Sequence, residues 1–281
     1  MASHIEDIFS TSEGLEFFQQ RWLPSAKPRA NLVVAHGLGE HSGRYRDFAA
    51  WFVSRGYAVH SYDHRGHGKS PGQRGHIDSW AEYREDLQDF VTLVRREFFQ
   101  IPTFLVGHSM GGLMVLDYAL HYPEGLQGVV SSGPALDYGE DVSRFLLFAA
   151  RVLSRVTPRM KMASGLDADG LSRNQEVVKA YREDPLVHGW VSPRFVTVMG
   201  ETMAVTLQNA GQWPADLPLF IIHGGADPIC PPSGSLRFFE QVDAQDKSRR
   251  AYPGFLHESF NEIGREEVLG DVTAWLEARL G

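Results

Sequence analysis

Phe104-Leu105-Val106-Gly107-His108-Ser109-Met110-Gly111-Gly112 is the stretch that decides the fold. An apolar run ends in a serine set between small residues, and Met114, Val115, Tyr118 and Ala119 continue as the apolar stripe of a helix. A strand that turns this abruptly into a helix carries the serine at its apex. Gly107 and Gly111 permit the strained angles and the close approach of strand and helix that such a turn needs. Gly-x-Ser-x-Gly is weak as a bare pattern, but between a strand and a helix it marks an exposed nucleophile. The plainer alternative is a glycine-rich turn with a solvated serine.

Outward from this turn, strands and helices alternate. Ile5–Phe9 and Leu15–Trp22 read as a hairpin around Ser12-Glu13-Gly14. Asn31–Ala35 is a short strand running into His36-Gly37-Leu38-Gly39, and Tyr57–Tyr62 is another, running into Asp63-His64-Arg65-Gly66-His67-Gly68. Phe48–Arg55 looks helical. Ser79-Trp80-Ala81-Glu82 forms a capping box ahead of an amphipathic helix. A strand at Gly128–Ser131 follows the serine's helix. The alternation then breaks across residues 135–213, which read as helical with no good strand. It resumes with Leu219–Ile222, a short strand near Arg250–Tyr252 and a C-terminal helix carrying Val268, Leu269, Val272, Trp275, Leu276 and Leu280. Near-continuous apolar strands alternating with helices predict an α/β fold with a mostly parallel central sheet flanked by helices. Residues 1–134 and 214–281 form this core, and residues 135–213 are an inserted helical cap.

The 281 residues are 43% apolar, ample for a buried core, and carry a net charge of −8. That balance argues against nucleic acid as a partner. Cys230 is the single cysteine, so neither an internal disulfide nor a thiolate metal cluster can form. The twelve histidines include no His-Glu-x-x-His, and neither metal nor cofactor is expected. The start of the chain lacks a basic segment followed by an apolar one, and no apolar run reaches membrane-spanning length. The expectation is a cytoplasmic protein, peripheral membrane contact remaining open.

A serine hydroxyl is a poor nucleophile unless a base and an orienting acid stand beside it. In a parallel sheet both should follow the carboxyl ends of later strands. Asp227, in Gly224-Gly225-Ala226-Asp227-Pro228 after a strand, fits as the acid, ahead of its rival Asp137. His257, in the turn after the last strand, fits as the base. His223 competes but precedes the acid and is expected to pack within a strand. The order Ser109, Asp227, His257 is that of α/β-hydrolases and differs from both common serine-protease orders. The backbone N–H groups of Leu38 and Met110 are the expected oxyanion donors.

These stretches resemble the monoacylglycerol lipases of the α/β-hydrolase fold. The likeness runs through His36–Tyr45, Asp63–Gly68, Gly107–Gly112, Leu171-Ser172-Arg173-Asn174, Asp184-Pro185-Leu186 and Ala226–Cys230. It covers nearly the whole chain, the insertion included. The resemblance implies hydrolysis of a monoacylglycerol to a fatty acid and glycerol, and a cap that opens onto an acyl tunnel. It also implies a polar end for glycerol made by Glu40, Arg44, His108 and Tyr181. Leu38 departs from the smaller residue of some relatives. A lysophospholipase or a general carboxylesterase is the alternative activity. A non-catalytic binding protein would usually have lost a triad member, and none is lost.

Between Ser143 and Ala163 the charges are Arg144, Arg151, Arg155, Arg159 and Lys161, with no acid among them. Helical spacing puts Arg144, Arg151 and Arg155 on one face, and Leu146, Ala149, Val152, Leu153 and Val156 largely on the other. A basic amphipathic helix in an acidic protein points to a membrane-surface element. A helix laying its apolar side on the core, its arginines solvated, fits the same pattern. Cys230 is expected to be a small buried hydrophobe without a catalytic role.

Overall fold

The computed structural model describes residues 2–137 and 144–280. β1 (Ser3–Ser10) and β2 (Glu16–Leu23) form the expected hairpin, with Phe9 opposite Phe17. β3 (Asn31–Ala35) is followed by α1 (Arg46–Val53), β4 (Ala58–Tyr62), α2 (Trp80–Glu97), β5 (Thr103–His108), α3 (Met110–His121) and β6 (Gly128–Ser132). α2 begins at the capping box: Ser79 accepts from a backbone N–H of the first turn while the Glu82 carboxylate returns to the Ser79 N–H.

The insertion contains α4 (Arg144–Val156), β7 (Met162–Ala163), α5 (Gln175–Glu183), β8 (Trp190–Val191) and α6 (Pro193–Gln208). β9 (Leu219–Gly224), α7 (Pro232–Gln241), β10 (Lys247–Tyr252) and α8 (Arg265–Glu277) complete the core. The sheet runs β1-β2-β4-β3-β5-β6-β9-β10. β2 is antiparallel to both of its neighbours, and every other pair is parallel.

Helices cover both faces, so the central strands are buried on both sides and need apolar residues at nearly every position. Alternate residues serve opposite layers. Val33, Leu105, Val129 and Ile221 pack with Leu113, Leu116, Leu87 and Phe238. Leu32, Phe104, Val106, Phe220 and Ile222 pack with Phe48, Phe52, Val268, Val272 and Trp275. α6 seats the insertion on α2 and α3, and α4 packs on α6.

Several elements differ from the sequence reading or resolve what it left open. β7 and β8 form a two-residue antiparallel pair inside the segment read as strandless. Pairs this short leave no periodicity to detect. α7 escaped the pattern because Pro231, Pro232 and Gly234 crowd its start; Pro232 occupies the first turn, where no N–H is required. On α4 the apolar stripe does not face inward as a unit. Ala150 and Ser154 are buried, whereas Phe148 is 63%, Val152 43% and Val156 73% exposed, alongside exposed Arg151 and Arg155. The side chains of Arg144 and Leu146, like Ser143, lie outside the described residues.

Candidate active site

β5 ends at His108, and the chain reverses through Ser109 into α3. Ser109 has φ 58° and ψ −119°, a left-handed backbone rarely taken by residues other than glycine. The tertiary frame holds it there: Ser109 N donates to Ser132 O at 2.9 Å, and Ser109 O accepts from Leu113 N and Ala135 N. Glycine is obligatory on both sides. A Cβ on Gly107 would stand 2.1 Å from Gly111 O, and one on Gly111 2.1 Å from Ala35 O.

His257 lies in the turn after β10, its backbone N–H on Gly170 O of the insertion. Its Nδ1–H donates to Asp227 Oδ2 at 2.7 Å, which leaves Nε2 as the proton acceptor. Asp227 Oδ1 accepts from the N–H groups of Ile229 and Cys230 at 2.8 and 2.9 Å. Burial would raise the Asp227 pKa, but the charge of His257 and hydrogen bonds from His223, His257 and Cys230 N–H drive it down. For His257, burial disfavours the imidazolium, and Asp227, with Glu258 and Glu40, outweighs it and raises the pKa.

The rivals make other contacts, although His223 Nε2 also lies 3.2 Å from Asp227 Oδ2. The Asp137 carboxylate meets Arg237 at 2.7 Å, and His223 sits in β9, bonded to Ser235 Oγ and Cys230 O. Among the described residues the Ser109 hydroxyl makes no hydrogen bond to His257; the Cys230 thiol lies beside it. Burial pushes that thiol's pKa up, so it stays protonated.

Leu38 occupies the turn after β3. Its N–H, like that of Met110 at the first position of α3, has no protein acceptor among the described residues. The Leu38 peptide is held from behind. His36 Nε2 accepts from His64 N–H at 3.0 Å, which places the ring proton on Nδ1, and Nδ1 donates to Gly37 O at 2.8 Å. In a planar trans peptide the N–H points opposite the C=O, so the Leu38 N–H is turned away from His36. Burial keeps the His36 pKa low despite Glu40 and Asp63, so this imidazole is neutral.

The four residues of the expected polar end are brought together. Glu40 Oε1 accepts from Gly37 N–H at 2.6 Å and Tyr45 Oη at 2.8 Å, and Oε2 accepts from Arg44 at 2.5 Å. Arg44 also clasps Glu258 with both terminal nitrogens, at 2.6 and 2.9 Å, and its Cζ lies 4.8 Å from the Tyr181 ring centroid. Burial works against the Glu40 charge, yet the Arg44 guanidinium, helped by the Gly37 N–H, holds its pKa down to about 2. His108 donates Nδ1–H to Ser132 O at 3.2 Å, and its ring lies tilted against that of His257 with centroids 4.7 Å apart. Burial, reinforced by His257, holds its pKa down to about 4, so its Nε2 is a bare acceptor. Glu258 and His36 were not singled out from sequence. An acid adjoining the expected base was the available signal for the first, and a histidine opening the oxyanion turn for the second. Among the described residues no group of three or more His, Cys, Asp or Glu side chains is placed to hold a metal ion.

A serine at a left-handed strand-to-helix turn, with a histidine–aspartate pair at the ends of later parallel strands, defines the α/β-hydrolase class. A family model described as "Serine aminopeptidase, S33" matches residues 26–264. The monoacylglycerol lipase of Mycolicibacterium smegmatis is 37% identical over 98% of both chains. The monoglyceride lipase of Rattus norvegicus is 31% identical, over 96% of this chain and 89% of its own. The crystal structure of Paleococcus ferrophilus monoacylglycerol lipase superposes with a TM-score of 0.86 at 36% identity, covering 94% of this chain and all of that one. The chain belongs to the monoacylglycerol lipase family of α/β-hydrolases and is a carboxylic ester hydrolase.

Proposed function

We propose that the protein hydrolyses monoacylglycerols to fatty acid and glycerol through an acyl-enzyme on Ser109. The observation that carries this is the 2.7 Å His257–Asp227 contact beside a serine held in the left-handed region. Rotation about χ1, which has three staggered wells, brings the Ser109 hydroxyl to His257 Nε2. Such bonds are often unformed before substrate binds. His257 then removes the proton as Ser109 Oγ attacks the ester carbonyl. The oxyanion falls to the N–H groups of Leu38 and Met110, and Asp227 stabilises the imidazolium. Glycerol leaves with the proton from His257, and water repeats the sequence to release the acid. No cofactor enters these steps.

In this reading Tyr181 and His108 receive the alcohol, with Glu40 and Arg44 beside them. Residues 135–213 serve as the cap over the site, residues 1–134 and 214–281 as the catalytic core. Phe148, Val152 and Val156, flanked by Arg151 and Arg155, give the cap an outward apolar ridge with a basic rim, suited to transient contact with a membrane surface where the substrate resides. No helix among the described residues is long and apolar enough to cross a membrane. An aminopeptidase needs a free carboxylate for the substrate amine; of the acids near His257, Asp227 is bonded to it and Glu40 and Glu258 are both engaged by Arg44.

Two measurements test the proposal. Ser109→Ala is expected to lower kcat by about four to six orders of magnitude, and near-normal turnover by this variant would overturn the mechanism. Rates on a monoacylglycerol, a lysophosphatidylcholine, a short nitrophenyl ester and an amino-acid anilide then fix the substrate. Preference for the choline lipid or the anilide would replace the substrate assignment.

A further inference from the structure

The Glu40–Arg44–Glu258 bridge joins the two turns that do the chemistry. Glu40 lies in the turn that carries Leu38 and binds the Gly37 N–H directly. Glu258 adjoins His257, and its own N–H is docked on Leu171 O at 2.8 Å. Arg44 grips one carboxylate from each turn, with side-chain exposures of 11% for Arg44, 4% for Glu40 and 3% for Glu258. Asn261 Nδ2 adds a further bond to Glu258 Oε2 at 2.9 Å. Both Glu40 oxygens are therefore engaged by protein donors. By contrast the Tyr181 hydroxyl has no hydrogen-bond partner among the described residues, and His108 keeps its Nε2 lone pair.

We propose that Glu40, Arg44 and Glu258 are positioning residues. They fix the oxyanion turn and the base turn relative to one another, and Tyr181 and His108 alone present polar atoms to the alcohol. A forked guanidinium suits this because it holds two carboxylates in fixed planes, which a lysine cannot. The bridge has a second effect. Two carboxylates against one guanidinium leave it net negative beside His257, which also faces Asp227 and the neutral His108. That charge favours the imidazolium formed as Ser109 attacks.

The proposal rests on the Ser109–His257–Asp227 mechanism, so Ser109→Ala is its reference. Arg44→Lys and Glu258→Gln are compared with wild type on a monoacylglycerol and on the methyl ester of the same fatty acid. The expected result is an equal fall in kcat on both esters, about tenfold to a hundredfold, with KM little changed. Glu258→Gln also moves the acid limb of kcat/KM to lower pH, because one charge that raises the His257 pKa is gone. Glu258→Gln keeps the shape and one acceptor oxygen, and it carries the test should Arg44→Lys unfold. A rise in KM confined to the monoacylglycerol would make these residues head-group contacts and overturn the proposal. Wild-type kcat on both esters, with Ser109→Ala inactive, would overturn it as well. Activity retained by Ser109→Ala would instead remove the underlying mechanism.

Discussion

The strand ends around Ser109, the floor of the site, and the segment inserted between β6 and β9 are built on opposite terms. In the floor, backbone meets backbone: a Cβ on Gly107, Gly111 or Gly224 would stand 2.1, 2.1 or 1.9 Å from a carbonyl oxygen. In the insertion, Gly189 would meet only Ser164 Oγ, at 3.9 Å. The floor also buries the stacked imidazoles of His36 and His64, with His67 beside them, whereas α4 turns Phe148, Val152 and Val156 to solvent. Sterics dictate the residues of the floor. The residues that α4 turns outward are under no such constraint.

The sharpest way to break this contrast is a pair of alanines. Gly111→Ala is expected to abolish folded, active protein, because backbone cannot yield the space its Cβ needs, whereas Gly189→Ala should keep the parent's kcat and melting temperature. Soluble yield, circular dichroism and ester hydrolysis decide it. A folded, active Gly111→Ala would mean that the floor is looser than its contacts indicate.

Acid should strike the floor next. Burial lowers the pKa of His36, His64 and His67, and takes His60 to about 3 and His108 and His188 to about 4. Below about pH 6.5 the unfolded chain binds protons at these positions that the native state refuses. Stability therefore falls as pH drops, by about 1.4 kcal/mol per pH unit for each excess proton. Asp86, raised to about 6 by burial, and His257 act in the opposite sense but are fewer. A melting temperature that declines steadily from pH 7 to pH 5 is the expected result. A flat profile would show that the imidazoles accept protons in place.

The smallest effect belongs to the insertion. Replacing Phe148, Val152 and Val156 together by serine should weaken binding to anionic phospholipid vesicles by about tenfold or more. Turnover of a short soluble ester should stay near the parent's. Unchanged vesicle binding in a co-sedimentation assay would leave the apolar ridge without a membrane role.

The sequence disclosed most of the floor because its signals are local. A nucleophile turn, a glycine-rich oxyanion turn and the order of Ser109, Asp227 and His257 are each written within a few residues of a strand end. The strands of the sheet were visible for a related reason, since burial on both faces demands unbroken apolar runs. What stayed hidden depends on distant pairing. Glu258 acquires its meaning only when the fold sets it against Arg44, and His36 only when His64 fixes its ring proton. The sequence left α4 open between a membrane-surface face and a core-facing one, because helical spacing marks an apolar face without saying what covers it. β10 was seen only at its end, since Lys247-Ser248-Arg249-Arg250 lies on an open sheet edge where polar residues are tolerated.

The left-handed backbone of Ser109 carries a consequence beyond the reaction. A side chain there is held against its own conformational preference at a cost of about 1–3 kcal/mol, and glycine would carry none. Selection acting on folding alone would therefore exchange this serine for glycine. Under the proposed mechanism the position trades thermodynamic robustness for turnover, and lineages that drift toward greater heat tolerance without demand for the activity would be expected to exchange this serine among their first changes.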